Sequence, residues 1–150
     1  MPSSFVDSSA LVKRYQDEEG SARLNGLMEN AKHLLIARLT VVEVSSALVR
    51  RARSTRLLGH DLASTLADFD LDVRESFEIV ELHEPVMIAA VGMSRKHGLR
   101  GADAIQLACA LLAFQSEPFP REFYLISADD ELNAAAIAEG LQVENPNLHP

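Results

Sequence analysis

Ser4-Phe5-Val6-Asp7-Ser8-Ser9-Ala10-Leu11-Val12 is the stretch on which the fold turns. A short apolar strand ends in one carboxylate, Asp7, and two serines then start a helix. In an open parallel sheet, ligands collect beyond the carboxyl ends of the strands, where strand order reverses. A first strand at the centre of such a sheet sets Asp7 on the rim of that crevice. Glu43, Asp103 and Asp129 fall where later strands end and helices begin, so the same rim is expected to gather four acids.

Outward from this stretch, the pattern alternates. Ser9 to Tyr15 reads as a short helix and Ser21 to about Asn30 as a second, with Leu24, Leu27 and Met28 on one face. Leu34-Leu35-Ile36-Ala37 is apolar throughout, as buried parallel strands are. Thr40 is expected to open the next helix, because Thr40-Val41-Val42-Glu43 matches a capping box. That helix runs into Arg50, Arg51, Arg53 and Arg56, turns at Gly59 and forms a hairpin with a helix over Leu62 to about Arg74. Phe77 to Leu82 alternates apolar and acidic residues, as a half-wet strand does.

Pro85 suits a helix's first turn and Gly98 its C-terminal cap. Ala104 to Phe114 is apolar almost all round, which marks a buried helix. Phe123 to Ser127 is a strand, Asp129 to Glu139 a helix closed by Gly140, and Leu141-Gln142-Val143 a last strand. Strands alternating with helices predict an α/β fold, a parallel sheet wrapped by helices.

The chain has 150 residues, which fits a single domain over 1–150 able to bury roughly 70% of its unfolded surface. A single cysteine, Cys109, excludes an internal disulfide and a cysteine-rich zinc site. With no signal-peptide pattern and no apolar run near membrane-span length, a cytoplasmic protein with no membrane partner is expected. A net charge of −8 argues against whole-surface attraction to nucleic acid, though not against a local basic patch.

Each acid has two readings. Asp7 or Asp129 can cap a helix, Glu43 can complete a capping box, and Asp103 can complement a helix dipole. Alternatively the four form a metal site, since clustered carboxylates repel unless a cation sits among them and hard oxygen ligands suit Mg²⁺ or Mn²⁺. No lysine or arginine adjoins Asp7, Asp103 or Asp129 in sequence, and the histidines are scattered. Ser9, Thr40 and Ser127 lie within a turn of an acid and can hold a metal-bound water or a phosphate oxygen, or cap a helix. Lys13 and Arg14, with Arg50, Arg51, Arg53 and Arg56, form either a track for a polynucleotide backbone or a solvated face.

The ordered set of motifs resembles a PIN-domain ribonuclease, and within that family a VapC-type toxin of a toxin–antitoxin pair. The matching pieces are Phe5 to Lys13, Leu39-Thr40 through Glu43 to Arg50, Gly98 to Ala108, Leu125 to Asp129, and Glu139 to Pro146. The resemblance implies a three-layer fold with a five-stranded parallel sheet in the order 3-2-1-4-5. It also implies Mg²⁺-dependent endonuclease cleavage of RNA, a homodimer and a small antitoxin partner, with Asp7, Glu43, Asp103 and Asp129 as catalytic, metal-binding acids. Gln106 departs from the pattern, since relatives often carry histidine there. Asp130 competes with Asp129 for the last acid position, and the Ser-x-Asp spacing from Ser127 favours Asp129.

Two rival functions follow. One is a non-catalytic PIN-like module that binds RNA or protein. The other is a phosphoryl-transfer domain with an aspartate nucleophile. A phosphatase of that kind needs a second aspartate where Ser9 stands, and a receiver domain needs an acidic pair and a late lysine that are missing.

Overall fold

The structure, a computed structural model, describes residues 2–55, 59–118 and 122–148, with backbone alone at 59 and 60. Five short strands form one parallel sheet: β1 (Ser3–Val6), β2 (His33–Ala37), β3 (Glu78–Val80), β4 (Phe123–Ile126) and β5 (Gln142–Glu144). Their order is β3-β2-β1-β4-β5, so β1 is central, with Phe5 beside Leu35 on one flank and Leu125 on the other.

Side chains on successive strand residues point to opposite faces, and this builds two cores. Phe5, Ala37 and Leu125 pack under α5 (Glu84–His97), α6 (Gly101–Gln115) and α7 (Asp130–Ala138). Val6, Ile36 and Ile126 pack under α1 (Ser8–Leu11), α2 (Ser21–Glu29), α3 (Arg38–Thr55) and α4 (Gly59–Glu75). The result is the three-layer arrangement that the resemblance implies. Among the described residues no helix is long and apolar enough to cross a membrane.

Several boundaries differ from the sequence reading. The helix expected over 9–15 is α1 followed by a 3₁₀ turn, Val12–Arg14. The tighter turn carries Lys13 inward, where its Nζ meets Glu18 Oε1 and the Glu19 carbonyl, each at 2.9 Å. The next helix does not open at Thr40. Strand β2 runs into α3 at Arg38 without a loop, so Thr40 lies inside the first turn and no capping box forms.

That early start also shortens β3. Val80 pairs with Ala37, and beyond Ala37 the neighbouring chain is already helical, which leaves Glu81 and Leu82 no ladder partner. Helix α4 begins at Gly59 itself rather than after a turn there, and α3 and α4 pack as a pair, as expected. Gly98 and Gly140 end their helices in the left-handed region, at φ 67° and 93°. Only glycine adopts that conformation freely.

Candidate active site

The connectivity carries the four acids to one edge of the sheet. Asp7 follows β1 directly, Asp129 lies just beyond β4, Glu43 is in the second turn of α3 after β2, and Asp103 is in the first turn of α6. They come from four separate parts of the chain.

Asp7 is 3% exposed. Its Oδ2 accepts the Ser9 amide at 3.2 Å, the Ser9 hydroxyl at 2.5 Å and the Ser127 hydroxyl at 3.1 Å. Oδ1 takes none of the three. Burial pushes the Asp7 carboxyl up to about 6, with the Glu43 charge adding to the rise and the Ser9 and Ser127 bonds opposing it. Ser9 Oγ in turn accepts the Ala128 amide at 3.0 Å, and Ser127 Oγ accepts the Asp129 amide at 3.1 Å. These two serines therefore stitch the end of β1 to the end of β4 behind the acid.

Glu43 is half-buried, and its Oε1 accepts from Ser8 Oγ at 2.7 Å and Gln106 Nε2 at 2.8 Å. The Asp103 side chain makes no hydrogen bond or ion pair among the described residues. Burial raises its carboxyl above the ordinary range, and the charges of Asp129, Glu43 and Glu131 raise it further, while Arg100 opposes them. Arg100 is thus a cation near the acids that sequence adjacency did not reveal. Asp129 caps α7, accepting the Leu132 amide on Oδ1 at 2.9 Å. Asp130 is the exposed first residue of α7 and is not among the largest charges acting on Asp103.

Both readings of the acids are therefore visible. Asp7 and Asp129 do cap helices, yet each cap uses one carboxylate oxygen, and the like charges still press on one another. The carboxylates share a rim without forming a closed cage. Among the described residues no three His, Cys, Asp or Glu side chains stand close enough to enclose an ion. The donor set itself is all hard oxygen, the chemistry that Mg²⁺ and Mn²⁺ prefer, and Asp103 carries excess negative charge beside it. By donor type and charge the residues fit such an ion.

The supporting hydroxyls divide. Ser9 and Ser127 lie against Asp7, whereas Thr40 is fully buried and its hydroxyl accepts from Gln106 Nε2 at 2.8 Å. Two residues of this network were not among the site candidates: Ser8, and Gln106, which stood out in the sequence only as a departure from the family pattern. A glutamine in an otherwise apolar helix was the available signal, because a buried amide must find partners.

The basic candidates divide more sharply. Lys13 is 6% exposed and committed to Glu18, so it does not face a ligand. Arg14 is paired with Asp72 at 3.0 Å and Arg51 with Glu18 at 3.3 Å. Arg50 and Arg53 are exposed and carry no ion pair among the described residues. Arg56 lies outside the described residues. Arg50 lines an open groove of about 370 Å³ together with Ser8, Ser9, Val42, Glu43 and Ser46.

Comparison with known proteins bears on the family and the fold. The family model described as PIN domain matches residues 4–138. Ribonuclease VapC45 and Ribonuclease VapC49 of two Mycobacterium tuberculosis strains are each 34% identical over 150 residues, covering all of both chains. Among solved structures, PAE2754 from Pyrobaculum aerophilum superposes with a TM-score of 0.63 at 25% identity, covering 95% of this chain and 89% of that one. A toxin–antitoxin complex from Klebsiella pneumoniae shares the fold with a TM-score of 0.64 at 17% identity, covering 96% and 98%.

Proposed function

This chain belongs to the PIN-domain family, and on that premise we propose that it is a metal-dependent endoribonuclease, the toxin of a toxin–antitoxin pair acting in the cytoplasm. In this reading the whole chain works as one PIN domain. The observation that carries the proposal is the gathering of four acids from separate parts of the chain at one sheet edge, where burial and then Asp129 and Glu43 push the Asp103 carboxyl up. A stability-driven sequence avoids such repulsion. Full-length identity to two ribonucleases supports the reaction, and a fold shared with a toxin–antitoxin complex supports a small antitoxin partner.

Asp7, Glu43, Asp103 and Asp129 would hold Mg²⁺, or Mn²⁺ in its place. A divalent ion among such oxygens supplies Lewis-acid polarisation of a phosphodiester and lowers the pKa of a water. The protein's own part is preorganisation. Ser9 and Ser127 fix one oxygen of Asp7, and Ser8 and Gln106 fix one oxygen of Glu43. Arg50, in the lining of the adjoining groove, offers its charge to a phosphate of single-stranded RNA, and Arg53 lies further along the same helix. Pairing with a second copy is part of the same proposal, supported by exposed Met87, Ile88 and Val91 on α5.

Asparagine caps a helix about as well as aspartate, so Asp7→Asn separates capping from metal binding, and Asp103→Asn tests the metal reading at an acid that caps nothing. Both variants are expected to fold, to lose cleavage of a labelled RNA, and to lose most of the stabilisation that Mg²⁺ gives the parent. At tenfold excess over its dissociation constant, Mg²⁺ stabilises the parent by about 1.4 kcal/mol through mass action. Parent and variants that gain equally from Mg²⁺ and cut equally well would return the acids to caps, and the chain to a non-catalytic binding module.

A further inference from the structure

Gln106 is 1% exposed, and its side-chain nitrogen meets three acceptors: Ser8 Oγ at 3.0 Å, Thr40 Oγ1 at 2.8 Å and Glu43 Oε1 at 2.8 Å. Helices α1, α3 and α6 thus converge on one atom. We infer that Gln106 is a positioning residue, which clamps one oxygen of Glu43 and so sets how tightly the acidic rim holds a divalent cation. The inference rests on the proposed metal site and names a determinant of its affinity.

An amide nitrogen has two hydrogens, so three acceptors exceed its supply. The two hydrogens match the two shorter contacts, Thr40 Oγ1 and Glu43 Oε1, while the Ser8 hydroxyl, 3.0 Å from the amide, donates its own hydrogen to Glu43 Oε1 at 2.7 Å. Glu43 Oε1 is therefore addressed from two sides, and Oε2 is engaged by no described side chain. The amide cannot be reversed, because its carbonyl oxygen would then confront an ionised carboxylate that only accepts.

The arrangement is also locally unfavourable. Gln106 Oε1 is buried without a hydrogen-bond partner among the described residues. A buried acceptor left unsatisfied destabilises a fold, and an apolar side chain among Ala104, Leu107 and Ala108 would avoid it. An amide that leaves its oxygen orphaned in order to aim its nitrogen at an acid is placed for that acid. Partners of this kind, one bond removed from a metal, typically change affinity or activity 10- to 100-fold when lost.

The test uses the full chain and Mn²⁺ alone as probe, with affinity read by calorimetry and melting followed without metal. Gln106→Leu is expected to raise the Mn²⁺ dissociation constant by about 10- to 100-fold, and to lower kcat for RNA while KM stays near the parent's. Gln106→His, which keeps a ring N–H donor, should recover most of that affinity. Ser8→Ala, which removes the second donor to the same oxygen, should shift affinity in the same direction, and it decides the matter if the leucine variant does not fold.

A folded Gln106→Leu that melts differently but binds Mn²⁺ as the parent does overturns the inference, leaving Gln106 as a tie between helices. Unchanged Mn²⁺ affinity in Ser8→Ala, where only that variant folds, overturns it as well. If Asp7→Asn loses Mn²⁺ while Gln106→Leu keeps it, the metal site stands and only the role of Gln106 falls. A parent that binds no Mn²⁺ overturns both.

Discussion

Asp7 is held by three hydrogen bonds and still protonates near pH 6, because burial outweighs them. Its carboxyl binds a proton more readily in the folded chain than in the unfolded one, where the ordinary value is 3.8. Between those limits the native state carries more protons, so stability falls as pH rises. The contribution is fully present below about pH 3.8, is lost as pH climbs through 6, and amounts to about 3 kcal/mol. Urea unfolding in chelator at pH 4.5 and 7.5 measures it. Asp7→Asn should lose less stability over that interval than the parent does, and should be the more stable of the two at pH 7.5. Equal losses in parent and variant would show that Asp7 titrates normally. This property was hidden in the sequence, where Asp7 is an acid after a strand. Its burial comes from Ser127 and the end of β4, which no local pattern places beside it.

At the scale of elements, α3 shows what helical period does to a run of like charges. Thr40, Val44, Leu48 and Ala52 form its buried stripe. Glu43, Ser46, Ala47 and Arg50 lie on another face and line the groove. Arg51 turns to Glu18 instead. Arg50→Ala/Arg53→Ala is therefore expected to weaken RNA binding and flatten its salt dependence, by roughly 0.7 in slope per lost phosphate contact for a single strand. Lys13→Ala should leave the slope alone and lower the melting temperature. An unchanged slope in the double variant would make these arginines a solvated face. The existence and order of helices were legible because apolar spacing reports burial directly. The start of α3 was not, since a strand that passes straight into a helix leaves no loop to carry a cap signal. The inward turn of Lys13 and the pairing of Arg51 were equally hidden, because both depend on Glu18.

For the whole molecule, strand order and layers could be read in advance, because alternating strands and helices admit few arrangements. The four acids were legible as a set for the same reason, once each was assigned to a strand end or helix start. The geometry between them was not, as the open rim shows. The exposed Met87, Ile88 and Val91 on α5 give the proposed dimer a testable surface. Ile88→Asp is expected to reduce the mass seen by light scattering toward that of a single chain, with RNA affinity per chain retained. An unaltered mass would move the contact to another face. One further consequence follows from the central place of β1. Ser127 reaches Asp7 across 120 residues of chain, and both neighbours of β1 must dock before its backbone is fully paired. Protein synthesis makes β1 first and β4 nearly last. Until Asp129 has been made, a growing chain therefore holds an incomplete set of acids, and the rim cannot assemble.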